Sequence, residues 1–406
     1  MAARSNRKRT TQDDRPGLDA LLASKEMIVV CGSGGTGKTT VSAALGALAA
    51  THLGGRVLVL TVDPARRLAT ALGLGALGNA EVRVDPAVLQ SADAGAQMHP
   101  HRPGELWVAM LDTKAGWDEL IRRHAPDATL RDQVLANPLY QNITSRFVHS
   151  HDYLAMEQLH EVHSSGRYDL VIIDTPPSRN ALDLLDAPGR MKEFFGSRLL
   201  RWLTVPYRSR FFTAASKPFY QVADRVLGSR FLQDIAEFFV LFQTMEKGFV
   251  ARADEVERLL VDPRTSFIVV STLEAAPAYE AAYLARELQR RNMNLGAIVL
   301  NRTLSPSLRQ PVAATAARRL RSAMDDDVVV GSVADAAGAE PNDVRSVLIE
   351  VSERFDDVAI VARREAERRA ELESIGALTV TAPALGRDVT DLGALLELGA
   401  HLFGSR

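Results

Sequence analysis

Residues 27–40 read MIVVCGSGGTGKTT, and the change of character within this stretch decides the fold. Met27–Cys31 is a short, uninterrupted run of apolar and mostly β-branched residues, the pattern of a strand covered on both faces. Gly32 follows, then four residues, then Gly37, Lys38 and Thr39, which satisfies the Walker A spacing at the start of a helical pattern. Glycines let the backbone curl so that successive N–H groups face one anion at the positive end of the following helix. Lys38 would place a full charge on the β- and γ-phosphates of ATP, and the Thr39 hydroxyl suits Mg2+. The expected phosphate-binding residues are Gly34, Gly35, Thr36, Gly37, Lys38, Thr39 and Thr40.

Outward from this loop the same rhythm repeats. Val57–Val62, Leu106–Leu111, Leu170–Ile173, Phe267–Val270, Ile298–Leu300 and Leu378–Val380 are short apolar runs, each expected to be a buried strand. Amphipathic stretches such as 278–290 and 343–370 lie between them. Alternation of this kind predicts an α/β fold with a doubly wound, mostly parallel sheet. Two aspartates close later runs: Asp63 after Val57–Val62 and Asp174 after Leu170–Ile173. Ligands of open α/β sheets gather at such strand ends. A carboxylate there meets the Walker B requirement near the Mg2+ shell, and a second could orient the attacking water.

One stretch breaks the rhythm. Between Asp174 and about residue 265 no strand is predicted, and ten of the 14 phenylalanines fall between Phe194 and Phe249. Phe231, Ile235, Phe238, Phe239, Phe242, Met245 and Phe249 follow a helical period and define one apolar stripe. The organisation expected is a disordered tail over 1–24 and one P-loop ATPase domain over 25–406, with 187–260 as an inserted helical subdomain.

Composition narrows the class further. A chain of 406 residues with 46% hydrophobic residues and a formal net charge of -2 is an ordinary globular protein, without the basic surface that nucleic-acid binding requires. Cys31 is the sole cysteine, which excludes an intrachain disulfide or a thiol-pair redox motif. No apolar run approaches the roughly 18–20 residues of a membrane span, and the polar N-terminus carries no signal-peptide core, so a cytoplasmic location is expected. His149, His151, His160 and His163 share one helical stretch but lack metal-ligand spacing. Residues 343–374 mix charge signs at helical spacing, as a solvent-facing helix does.

The set GGTGKTT (34–40), TVDPA (61–65) and YDLVIIDTPPS (168–178) resembles the arsenite-transporter ATPase family. That family includes the tail-anchored-protein targeting ATPases and shares its deviant Walker A loop with partition and septum-site ATPases. The resemblance implies that Asp63 positions the hydrolytic water and that Asp174 reaches Mg2+ through water. It implies that Asn301 hydrogen-bonds the adenine edge, and that the loop from Pro383 to Val389 closes over the base. It also implies a dimer switched by ATP.

Three departures from the family pattern matter. Its signature lysine, which reaches a partner's phosphates across the dimer, is Ser33 here. A hydroxyl cannot supply that cation, so hydrolysis in a homodimer should be slow, or a paralogous ATPase should supply the lysine in a heterodimer. The Cys-x-x-Cys zinc clasp of the eukaryotic targeting members and the clustered cysteines of arsenite pumps are both missing, which argues against thiol-based metalloid binding. In the targeting relatives the helical insertion holds a hydrophobic membrane-protein client; the Phe-rich stripe could form such a groove or simply pack as core. A partition- or septum-type role fits less well, given the aromatic insertion and the largely neutral C-terminal segment.

Overall fold

The computed structural model describes residues 17–62, 66–74, 80–93, 104–111, 113–125, 127–137, 140, 150–176, 181–196, 238–239 and 243–404. Eight strands form one sheet: β1 (Met27–Cys31), β2 (Arg56–Thr61), β3 (Val82–Arg83), β4 (Glu105–Met110), β5 (Leu170–Asp174), β6 (Thr265–Ser271), β7 (Leu295–Thr303) and β8 (Leu378–Pro383). Their spatial order is β3-β4-β2-β5-β1-β6-β7-β8. Every neighbouring pair is parallel except β3 against β4. All seven predicted apolar runs are strands of this sheet. The added β3 is two residues long, too short for any periodicity to reveal.

Helices cover both faces. Those used below are α1 (Leu18–Ala23), α2 (Lys38–Leu48), α3 (Ser150–Ser164), α4 (Ala181–Gly196), α5 (Glu246–Leu260), α6 (Ala275–Arg290), α7 (Pro341–Glu373) and α8 (Leu392–Gly404). Because strand side chains alternate, the central strand feeds two cores. Met27, Val29 and Cys31 join one, packed by Leu154 and Leu159 of α3, Phe249 and Leu260 of α5 and Leu288 of α6. Ile28 and Val30 join the other, packed by Val41 and Leu45 of α2 and Leu395 and Leu398 of α8. Every residue of β1, β5 and β6 is buried, which is why these strands read as continuous apolar runs rather than alternating ones.

The N-terminal boundary requires correction. A tail was expected to continue to residue 24, yet α1 occupies Leu18–Ala23, with Leu18 and Leu22 each only 1% exposed. These leucines, spaced i and i+4, share one helical face and close the core of Ile28, Val30 and Leu48. The burial of two leucines outweighs the polar sequence before them.

The described parts of the inserted stretch are helical, as α4 and α5, and Lys192 of α4 bridges Asp254 (3.0 Å) and Glu257 (2.6 Å) of α5. Of the aromatic stripe, Phe238, Met245 and Phe249 are buried in the first core beside Trp117 and Tyr140, with Phe239 packed against it. These residues are core rather than groove, and Phe231, Ile235 and Phe242 lie outside the described residues. The charged helix expected at 343–374 is α7, whose Pro341 suits a first helical position. Its ion pairs include Arg354–Glu350 and Arg369–Glu373 at i, i+4.

Leu22→Ala should lower unfolding stability by about 2–5 kcal/mol. A chemical-denaturation midpoint unchanged from wild type would show that α1 is not part of the core.

Candidate functional site

The site begins where β1 ends. Gly32 has φ 146, and a Cβ there would lie 2.1 Å from the Val270 carbonyl oxygen of the neighbouring strand β6. At the far end of the loop Gly37 caps α2 in the left-handed region (φ 92), where a Cβ would meet the Asn301 amide nitrogen at 2.3 Å. Between them the chain doubles back on itself. The Lys38 ammonium and the Thr36 hydroxyl both donate to the Ser33 carbonyl, each at 2.9 Å. Lys38 is thus held inward by its own loop, 6% exposed, at the positive end of α2. The Ser33 hydroxyl is buried with no hydrogen-bond partner among the described residues. This short side chain is tucked in rather than directed outward.

Asp174 ends β5 with no solvent exposure. Its Oδ2 accepts hydrogen bonds from the Thr39 hydroxyl (2.5 Å) and from the Thr61 hydroxyl at the end of β2 (3.0 Å). The structure therefore brings together the loop residue expected to hold Mg2+ and the aspartate expected to serve it. Thr61, which the sequence marks only as the first residue of TVDPA, joins this pair. Its signal was a polar residue closing a strand in register with Asp174. Next to Asp174, Thr175 is buried and its hydroxyl donates to the Val30 carbonyl at 2.9 Å, tying this strand end to β1. Asp63 lies outside the described residues.

Asn301, near the end of β7, is 6% exposed and touches the phosphate loop directly. Its Nδ2 donates to the Thr36 carbonyl at 2.8 Å, and its Oδ1 accepts from the Arg302 backbone N–H at 3.0 Å. Pro383 ends β8 and lines a cleft of about 510 Å³ together with Thr303–Pro306, Glu365 and Arg369 of α7 and His401 of α8. No residue of 32–40 lines that cleft. The structure thus joins Asn301 to the loop and places Pro383 on the neighbouring strand, opposite Thr303.

Cys31 sits at the base of the loop, 3% exposed, with its thiol directed at the Ile268 carbonyl (3.7 Å). Burial pushes the thiol pKa up to about 12, against the opposing pull of the Lys38 cation. It is a neutral packing group. Of the helical histidines, His163 Nε2 lies 2.9 Å from the Glu26 carboxylate. His160 faces Arg252 and Glu255, and burial, followed by the Arg252 charge, holds its pKa below the usual imidazole value. His149 lies outside the described residues.

The model of a family described as "Anion-transporting ATPase" matches residues 25–328, which include the phosphate loop, Asp174 and Asn301. The chain belongs to this family. It is 25% identical over 285 residues to "ATPase ASNA1 homolog 2" of Paramecium tetraurelia, covering 70% of this chain and 77% of that protein. It is also 25% identical over 325 residues to "ATPase GET3" of Malassezia globosa, covering 79% and 86% of the two chains. To "Uncharacterized protein SCO2128" of Streptomyces coelicolor it is 29% identical over 240 residues, or 58% and 54%. Membership supports ATPase activity and implies use of a nucleotide. Among the described residues no helix is long and apolar enough to cross a membrane.

Native protein at pH 8 should take up no maleimide at Cys31, whereas guanidinium-unfolded protein should take up one equivalent per chain. Prompt labelling of the native state would contradict the buried, protonated thiol.

Proposed function

We propose that this chain is a cytoplasmic, Mg2+-dependent ATPase that acts as a nucleotide-switched dimer on a hydrophobic or membrane-protein client. The observation that carries the ATPase reading is the hydrogen bond between the Thr39 hydroxyl and the buried Asp174 carboxylate, at the first turn of the helix that follows the glycine loop. Hard oxygen donors in this position fit Mg2+: Thr39 offers a hydroxyl lone pair and Asp174 a carboxylate. When bound, the ion would draw charge from the β- and γ-phosphates of ATP.

The remaining steps belong to the chain. The curled backbone at Gly34–Gly37 offers N–H groups to the phosphates, and α2 adds the positive end of its dipole. Lys38, now bonded to the Ser33 carbonyl, exchanges that oxygen for a phosphate oxygen, leaving the loop backbone where it is. Asp63 orients the attacking water. Asn301 spends one N–H and one lone pair within the protein, which leaves one of each to read the adenine edge. Pro383 and the loop after it would close over the base from the neighbouring strand.

Ser33 favours a second reading. With a tucked-in hydroxyl where the family carries its trans lysine, the chain would be a weakly hydrolysing subunit completed by a paralogue. The client side of the proposal needs an exposed apolar face. The described part of the aromatic stripe is core and does not supply that face.

Nucleotide titration and steady-state turnover test the reading. Lys38→Ala should abolish measurable ATP binding. Asp63→Asn should keep binding while lowering kcat by about 10²–10⁴. Ser33→Lys should raise turnover of the isolated chain; equal, robust rates for wild type and Ser33→Lys would remove the heterodimer reading.

A further inference from the structure

The end of β7 departs from regular pairing. Its register with β8 shifts between Leu300 and Thr303, so Asn301 and Arg302 form an irregularity immediately beside the phosphate loop. Such irregularities re-aim side chains and concentrate near active sites. Arg302 has φ 56, in the left-handed region; among the described residues only one other non-glycine, Asn292, has positive φ. Asparagine tolerates that region through its short polar side chain, whereas arginine has no such advantage. The Arg302 side chain is exposed and makes no ion pair with a described residue, so nothing at its tip offsets the unfavourable backbone.

What the left-handed turn does gain is a direction for one N–H. The Arg302 amide donates to Asn301 Oδ1 at 3.0 Å, which fixes the plane of the Asn301 side chain. In that plane Nδ2 donates to the Thr36 carbonyl at 2.8 Å and occupies the space that Gly37 leaves by lacking a Cβ. Thr36 and Lys38 in turn share the Ser33 carbonyl. A continuous set of contacts therefore runs from the Arg302 backbone to the lysine expected to meet the phosphates.

We infer that Arg302 is a positioning residue: its left-handed backbone aims Asn301, which presets the phosphate loop for ATP. The role belongs to the backbone conformation and not to the guanidinium, and a strained residue retained at a binding site is its physical signature. This inference rests on the ATP-binding reading above and extends it to a residue that never touches the phosphates.

The test measures ATP affinity, turnover and thermal midpoint of the full chain in wild type and six variants. Arg302→Gly, Arg302→Asn and Arg302→Ala should keep the Kd within about twofold of wild type, since each accepts this backbone at a cost no greater than arginine's. Arg302→Thr, β-branched and poorly suited to positive φ, should weaken ATP binding about tenfold; Arg302→Val serves as its replacement should the threonine variant not fold. If Arg302 acts through Asn301, the double variant Asn301→Ala/Arg302→Thr should bind no worse than Asn301→Ala alone. A general loss of stability would instead add to the Asn301→Ala effect, which would overturn the inference. So would an Arg302→Thr variant with wild-type affinity, or an Arg302→Ala variant as weak as Arg302→Thr. Wild-type protein that binds no ATP would fail the functional reading itself, a distinguishable result.

Discussion

A carboxylate with no solvent exposure stands near the middle of the sheet, and the arrangement around it follows from the need to satisfy it. Burying an ionised Asp174 without partners would be prohibitive. Two hydroxyls meet it: Thr39 from the first turn of α2 and Thr61 from the end of β2. That requirement draws β2, β5 and the helix after β1 to one point and sets the level at which the glycine loop turns. Both donors are hard oxygen groups, and the proposed Mg2+ role of Thr39 and Asp174 rests on this pairing.

The loop is also preformed on its other side. Lys38 and Thr36 converge on the Ser33 carbonyl, and Asn301 holds the Thr36 carbonyl from β7. Glycine is required at both ends for different reasons. At Gly32 a side chain would strike the backbone of β6, and at Gly37 it would strike the Asn301 amide. These contacts hold the loop backbone from both sides, so the proposed entry of a phosphate would require little more than the exchange at Lys38. Preorganisation of this kind is where binding energy is conserved.

Much of this was legible in the sequence, because parallel strands buried on both faces leave uninterrupted apolar runs, and because glycine, lysine and threonine at fixed spacing have few other uses. What escaped reading was small or distant. β3 has only two residues, and α1 was masked by the charged residues before it although Leu18 and Leu22 carried the spacing. The bond from Asn301 to Thr36 joins residues 265 apart in sequence, and the conformation of Arg302 has no signature in residue type. The aromatic stripe was ambiguous for a physical reason: a helical apolar face looks the same whether it meets a core or a client. For Phe238, Met245 and Phe249 the neighbours are core.

Asp174 is proposed to serve a cation-assisted nucleotide site. Equilibrium titration of ATP into the full chain, with and without Mg2+, tests it when repeated on Asp174→Asn. Wild type should show saturable binding that Mg2+ tightens, with that tightening lost in Asp174→Asn. No ATP binding by wild type, or the same Mg2+ dependence in both proteins, would contradict it.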